Sequence, residues 1–225
     1  MQDKITKRSL HLNFILSAPM VNYTGPKSRL FRRFGIRLPT NGDLKQTHAT
    51  IKKAFPPGMH GNKGTFGKKS EYARQLLEKQ KAKAIFNVNE KQMEKYFEMA
   101  SKIEGITADE MIKILEKRLD NVIFRSGIAT TRYQARQIVN HGLIELNGKV
   151  VSIPSVQVQV GDKFNLISKK KDSALFKLNS ERSVKAPKWL NVDLKNLSGE
   201  VSRNPDKGEL EPLIAGHLMV EFYSK

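Results

Sequence analysis

Residues 125–151 read RSGIATTRYQARQIVNHGLIELNGKVV, and they set Arg132 and Arg136 at i and i+4. On a helix, side chains so spaced rise from one face about a turn apart. Neither has an acidic residue at helical spacing, so the pair is expected to face outward and to take an anion. Thr131 and Gln134 make a T-x-x-Q capping box that launches this helix, which runs to about Asn140, and Gly142 is placed to end it in the left-handed conformation. Ala135, Ile138 and Val139 then face inward. The chain passes at once into LIELNGKVV, where Ile144 and Leu146 alternate with Glu145 and Asn147-Gly148 supplies the two positive-φ positions of a type I′ turn.

Other candidate chemistry is sparse. GNKGTFGKK, residues 61–69, is glycine-rich and basic but lacks the Walker spacing; its amides and lysines suit static phosphate contacts. His11, His48, His60, His141 and His217 show no metal-ligand spacing, and the chain has no cysteine, which excludes disulfides and Cys-based zinc sites. No cofactor and no metal are expected. No run approaches the ~18 apolar residues of a membrane span, so no membrane partner is expected. Residues 4–18 imitate a signal peptide, but His11 and Asn13 interrupt the apolar middle.

Charge names the partner class. Forty Lys and Arg against 22 Asp and Glu leave +18 on 225 residues, which points to a polyanion. The N-terminal half is richer: 23 basic and 11 acidic side chains lie in residues 1–117, against 17 and 11 in residues 118–225. Residues 20–69 hold 11 basic side chains and one acid, Asp43. A density of like charge this high self-repels, so this stretch is expected to be ordered mainly on RNA or DNA. It lacks an apolar period and reads as an extended arm with loops, interleaved with Tyr23, Phe31, Phe34, Phe55, His60 and Phe66, which can stack on bases or pin the arm to a core.

Several elements must position these groups. Ser70 opens a basic amphipathic helix, SEYARQLLEKQKAKAIFNV, with Tyr72, Leu76 and Leu77 as its apolar stripe and Arg74, Lys79, Lys81 and Lys83 on the remaining surface. Residues 90–103 form a second helix with Met93, Phe97 and Ala100 as core. Thr107 and Glu110 make a capping box before a single helix through MIKILEKRLDNVIF, which buries Met111, Leu115, Leu119 and Val122 and stops at Ser126-Gly127. VQVQVGDKFNLIS is expected to add two strands around Gly161-Asp162, with Val156, Val158 and Val160 on one face. The class is α+β: helices packed on a small antiparallel sheet. Trp189, Leu190, Val192, Leu218, Val220 and Phe222 are expected as extra core for a larger helical domain.

Residues 118–164, RLDNVIFRSGIATTRYQARQIVNHGLIELNGKVVSIPSVQVQVGDKF, resemble the S-four type of RNA-binding domain. NYTGPKSRLFRR, PPGMHG, EYARQLLEKQKAKAIF and HLMVEFYSK resemble the bacterial-type S-four family of small-subunit ribosomal proteins. The resemblance covers most of residues 20–225. It implies a basic arm and helical rRNA-binding domain at 20–117, rejoined by 183–225, with the small module inserted at 118–182. Residues 1–19 are then an extension, disordered or not native. It further implies a cytoplasmic structural constituent of the small ribosomal subunit, which binds the 5′ domain of its rRNA early in assembly, touches neighbouring small-subunit proteins near the mRNA entry side and influences decoding accuracy. The implied RNA contacts are Tyr23, Lys27, Arg29, Arg32 and Arg33 in the arm, and His60, Lys63, Lys68 and Lys69 in the glycine-rich loop. Tyr72, Gln75, Lys79, Gln80 and Lys81 follow on the first long helix, then Thr131, Arg132, Arg136, Gln137, Asn140 and His141 in the module. Many members have C-x-x-C where Ser28 and Phe31 stand here, so their zinc knob cannot form; Leu77 replaces a residue that is commonly basic.

RNA-modifying pseudouridine synthases carry a similar module and an Arg-Leu-Asp motif with a nucleophilic aspartate, which Arg118-Leu119-Asp120 matches in spelling. A catalytic Asp needs a cleft and a positioned partner, whereas Asp120 is flanked by apolar Leu119 and Val122 and is read as a structural pairing or capping group. A shorter, stand-alone ribosome-rescue factor is disfavoured by the arm and the C-terminal segment. The sequence therefore reads as a binder and not an enzyme.

Overall fold

The computed structural model describes residues 25–37, 40–41, 53, 55–61, 69–168, 171, 173, 176 and 186–224. Residues 1–19 and the expected contacts Tyr23, Lys63 and Lys68 lie outside them, as do Phe66 and the boundary at 182–183.

Helix α1, Lys27–Arg33, follows Pro26 and buries Leu30 and Phe31. Helix α2, Glu71–Phe86, starts as expected at Ser70, whose hydroxyl accepts from the Ala73 amide, and ends at Asn87 in the left-handed region. Helix α3, Glu90–Ser101, is closed by a capping box between Asn89 and Gln92. Helix α4 is Thr107–Glu116. The expected box at Thr107 does not form, because the Asp109 and Glu110 amides bond to the Ile106 carbonyl and Ile106 becomes the cap. Glu110 pairs with Lys113 instead, at 2.6 Å.

The single helix expected through residues 111–124 is broken. Arg118 is extended, and α5 begins after it as Leu119–Arg125. The physical reason lies 40 residues on: the Lys117 carbonyl accepts from the Val158 amide, the Leu119 amide donates to the Val156 carbonyl, and Arg118 bridges Gln157. That exchange uses residues 156–158, so the first of the two strands expected there does not form; Val158 is buried while Val160 is exposed. Helix α6, Arg132–Asn140, is capped by Thr131 as expected and ends ahead of Gly142, which has φ +62°. Gln134 completes only half of the expected box, since its carboxamide accepts from the Thr130 amide at 2.6 Å. Helix α7 is Gly216–Tyr223.

Strands β1 (Ile144–Leu146), β2 (Lys149–Val151), β3 (Lys163–Leu166), β4 (Leu190–Asp193) and β5 (Ser198–Val201) form one antiparallel sheet in the order β2-β1-β3-β5-β4. Asn147 and Gly148 both have positive φ, as the I′ turn between β1 and β2 demands. Seven α-helices and five strands among the described residues make the α+β fold.

Two cores result. One packs α5 and α6 on the sheet, with Val122, Ile138, Phe164 and Leu166; Trp189, Leu190 and Val192 join it. These last three were expected in the larger helical domain, but β5 pairs with β3, which draws the segment around 190–201 into the module's sheet. The other core joins α1–α4 and α7 through Leu30, Phe31, Ile85, Met93, Met111 and Met219. Each fully buried side chain of this size contributes about 1.5–3 kcal/mol.

Candidate nucleic-acid interface

Cations are useful to a polyanion only where they are not already neutralised, and burial separates the basic side chains into two groups. On α2, Lys79, Lys81 and Lys83 are buried, not surface groups as the helical pattern suggested. Lys79 and Lys83 donate to the Glu90 carboxylate at 2.8 and 2.6 Å, and Tyr223 donates to it at 2.8 Å. Burial pushes the Glu90 pKa up, but the hydrogen bonds from Lys79, Lys83 and Tyr223 outweigh it and hold the carboxyl below its ordinary value. Tyr223 is pushed the other way, first by burial and then by Glu90, so its phenol stays protonated. Lys81 pairs with Glu78 at 2.6 Å, whose second oxygen accepts from the Ala215 amide at the start of α7. Gln75 is fully buried, and Gln80 is half-buried.

The outward-facing pair expected on α6 is overturned for Arg132. Its side chain is 6% exposed, between the rings of Phe86 and Phe124 at 5.2 and 4.4 Å. It donates to Asn121 at 2.6 Å and to Glu211 at 2.5 Å. Glu116 stands 3.9 Å away and is itself held by Arg125 at 2.6 Å and by Asn121. Burial lowers the Arg132 pKa, and the carboxylates of Glu211 and Glu116 oppose the fall. Arg125 goes up: burial disfavours its charge, but Glu116 prevails. Two arginines and two glutamates thus close a buried network that ties α4, α5 and α6 to residue 211. Arg136 does reach the surface with 29% of its side chain exposed, donating to the Asn87 carbonyl at 2.6 Å with Asp120 at 3.8 Å.

Arg118 and Asp120 form a buried two-pronged pair, with Nε to Oδ1 at 3.1 Å and Nη2 to Oδ2 at 2.8 Å, and Arg118 also donates to the Tyr96 hydroxyl. Burial lowers the Arg118 pKa, yet Asp120 and Tyr96 raise it further. Asp120 lies in the first turn of α5, not in mid-helix, and it pairs structurally as the sequence suggested. A carboxylate engaged at both oxygens is a poor nucleophile.

A polar surface is centred on α1 and α6. Lys27 places its ammonium 4.6 Å from the Tyr133 ring centroid, and burial lowers its pKa. Tyr133, Arg136, Gln137 and Asn140 fall at i, i+3, i+4 and i+7, one face of α6. Gln137, Asn140 and His141 are exposed, as are Arg29 and Arg33 on α1 and Arg37 beyond it. Thr131 is half-buried and bridges Thr40, while Asn41 donates its side chain to the carbonyls of Phe124 and Ala129 at 2.5 and 2.9 Å. The arm is thereby bolted beside α6. Arg32 points elsewhere, donating twice to the Phe55 carbonyl at 3.0 and 2.8 Å and covering the Phe55 ring, which anchors the segment that carries exposed His60. Lys69 and Tyr72 are exposed at the start of α2. Sequence reasoning missed Tyr133, Asn41, Glu116 and Glu211; only Tyr133 had a local signal, its place on the Arg136–Gln137 face.

A helical scaffold thus carries a small α+β module, with exposed arginines, amides and a histidine on the surface where the arm meets the module. Residues 22–116 match the family described as "Ribosomal protein S4/S9 N-terminal domain", and residues 117–164 match the "S4 domain". The chain is 44% identical over 210 residues to "Small ribosomal subunit protein uS4" of Caldicellulosiruptor saccharolyticus, covering 92% of this chain and all of the relative. It is 43% identical over 212 residues to uS4A of Symbiobacterium thermophilum and 41% over 210 to uS4 of Halothermothrix orenii, with the same coverage. The chain belongs to the uS4 family of small ribosomal subunit proteins. These relatives are named as parts of a particle, and the family is that of a structural protein and not an enzyme.

Proposed function

We propose that the protein is a structural constituent of the small ribosomal subunit in the cytoplasm. It binds the 5′ domain of small-subunit rRNA, helps to nucleate assembly of the subunit body, contributes to decoding accuracy and touches neighbouring small-subunit proteins near the mRNA entry side. The observation that carries this reading is the division of the polar residues: Lys79, Lys83 and Arg132 are spent inside the protein, while the basic Arg29 and Arg33, the amides Gln137 and Asn140, and His141 stay exposed on adjoining elements. Phosphates would be met by the arginines and amides, and the module's helix would present polar groups to the RNA's shape. The RNA contacts of this reading are Arg29, Arg33, His60, Lys69, Tyr72, Gln80, Arg136, Gln137, Asn140 and His141. Lys27, Thr131 and Arg132 instead join the arm and helices to the module, while Arg32, Lys79 and Lys81 bond within the arm and helical core and Gln75 is buried there. Sedimentation of a lysate that contains the tagged chain tests the reading. Co-migration with small subunits, lost at high salt, is the expected result; a free pool in which Gln137→Ala/Asn140→Ala changes nothing would remove it.

A further inference from the structure

Most aromatic rings of the helical core are enclosed, but Tyr72 is 57% exposed although it belongs to a ladder of rings. Its ring centroid is 5.8 Å from that of Phe222 at a 35° tilt; Phe222 meets Tyr223 edge-on at 5.6 Å, and Tyr223 stacks on Phe97 at 5.3 Å. Lys79 places its ammonium 4.0 Å from the Phe222 centroid while its charge is held by Glu90. Phe222 is thus fixed between a cation and the Tyr72 ring. Tyr72 is braced on one side and open on the other, in the first turn of a helix whose nearby exposed groups include Lys69 and Arg74. Arg74 is itself shared with Glu71 at 2.5 Å.

We propose that Tyr72 is a base-stacking platform for one unpaired RNA nucleotide, held in orientation by Phe222 of the C-terminal helix. The inference rests on the RNA-binding reading above and adds the ligand class, an unstacked base and not a phosphate, together with a positioning role for α7. An aromatic face left in water on a basic protein has a use when a base covers it, and a braced ring loses little freedom on doing so. Phe222 acts through Tyr72 and touches no RNA.

The test measures binding of the full chain to a transcript of the small-subunit 5′ domain across a salt series, for wild type, Tyr72→Phe, Tyr72→Leu and Phe222→Ala. Stacking predicts that Tyr72→Phe binds as wild type, and that Tyr72→Leu binds about tenfold or more weakly at every salt concentration with the slope of log affinity against log salt unchanged. Phe222→Ala should fall between them. If Tyr72→Phe loses as much as Tyr72→Leu, the hydroxyl is the contact and stacking is wrong. Wild-type affinity in Tyr72→Leu overturns the platform alone, whereas a wild-type chain that does not bind the transcript overturns the RNA-binding reading with it.

Discussion

Replacing Arg132 by Met separates the structural reading of that residue from the RNA-contact reading. Methionine keeps the stem between Phe86 and Phe124 but deletes the charge, which leaves Glu211, among the described residues, with Arg125 alone at 3.5 Å. Glu211 and Glu116 are 5% and 1% exposed at their side chains, so the stranded carboxylate has no ready access to water. Removing one partner of such a buried network costs about 3–5 kcal/mol. For a chain of this size each kcal/mol lowers the melting temperature by about 2–4 °C, so a fall of about 6–20 °C is expected. Urea and thermal unfolding at neutral pH measure it. RNA affinity should change little at a temperature where the variant is still folded, because the guanidinium does not reach the surface. The double variant Arg132→Met/Glu211→Gln should recover part of the loss, since neither charge is then left alone. An Arg132→Met protein that melts with the wild type and binds RNA tenfold more weakly would falsify this reasoning.

Glu90→Gln should flatten the acid limb of the stability–pH curve. The folded pKa of Glu90 is held below its ordinary value near 4.5, so its contribution is complete above that value and is lost as pH falls through the folded one; an unchanged limb by chemical denaturation at successive pH values would contradict the Lys79–Glu90–Lys83 arrangement. Gly199→Ala should destabilise by about 1–3 kcal/mol, because the added carbon would stand 2.6 Å from the Phe164 ring and 2.9 Å from the Asn191 carbonyl. A urea midpoint equal to wild type would show that the sheet relaxes freely there. The triple variant Gln137→Ala/Asn140→Ala/His141→Ala should melt as wild type and bind the 5′-domain transcript at least tenfold more weakly by filter assay; equal binding would move the interface off α6.

Several local features were legible because their causes are local, the Thr107 box being the exception. Ser70, Thr131, Gly142 and Asn147-Gly148 act through their own backbone and immediate neighbours, and each was read correctly from the sequence. The α6 core positions Ala135, Ile138 and Val139 follow from helical spacing alone, and all three are buried. What failed were readings of groups whose partners lie beyond their own helix. Arg132 has no acid at helical spacing, but its carboxylate is 79 residues away. Lys79 and Lys83, read as surface groups, lie one turn apart on one face of α2 and converge on Glu90, which the left-handed turn at Asn87 brings back beside them. The same holds for the break at Arg118, which depends on residues 156–158, and for Trp189, whose core is chosen by β5 pairing with β3. Within the candidate interface, the exposed residues Arg29, Arg33, Gln137, Asn140 and His141 were implied by the family resemblance and not by spacing or periodicity, whereas Tyr133, Asn41 and the Glu116–Glu211 pair became visible only in three dimensions.

The central claim is that exposed cations beside α6 bind rRNA phosphates over an extended face. The most direct measurement is the affinity of the purified full chain for a small-subunit 5′-domain transcript as a function of salt. With roughly 6–10 phosphates engaged, log affinity should fall against log salt with a slope of about 4–9, and a transcript of equal length from elsewhere in the rRNA should bind more weakly. A slope near 1, or equal affinity for both transcripts, would contradict the account.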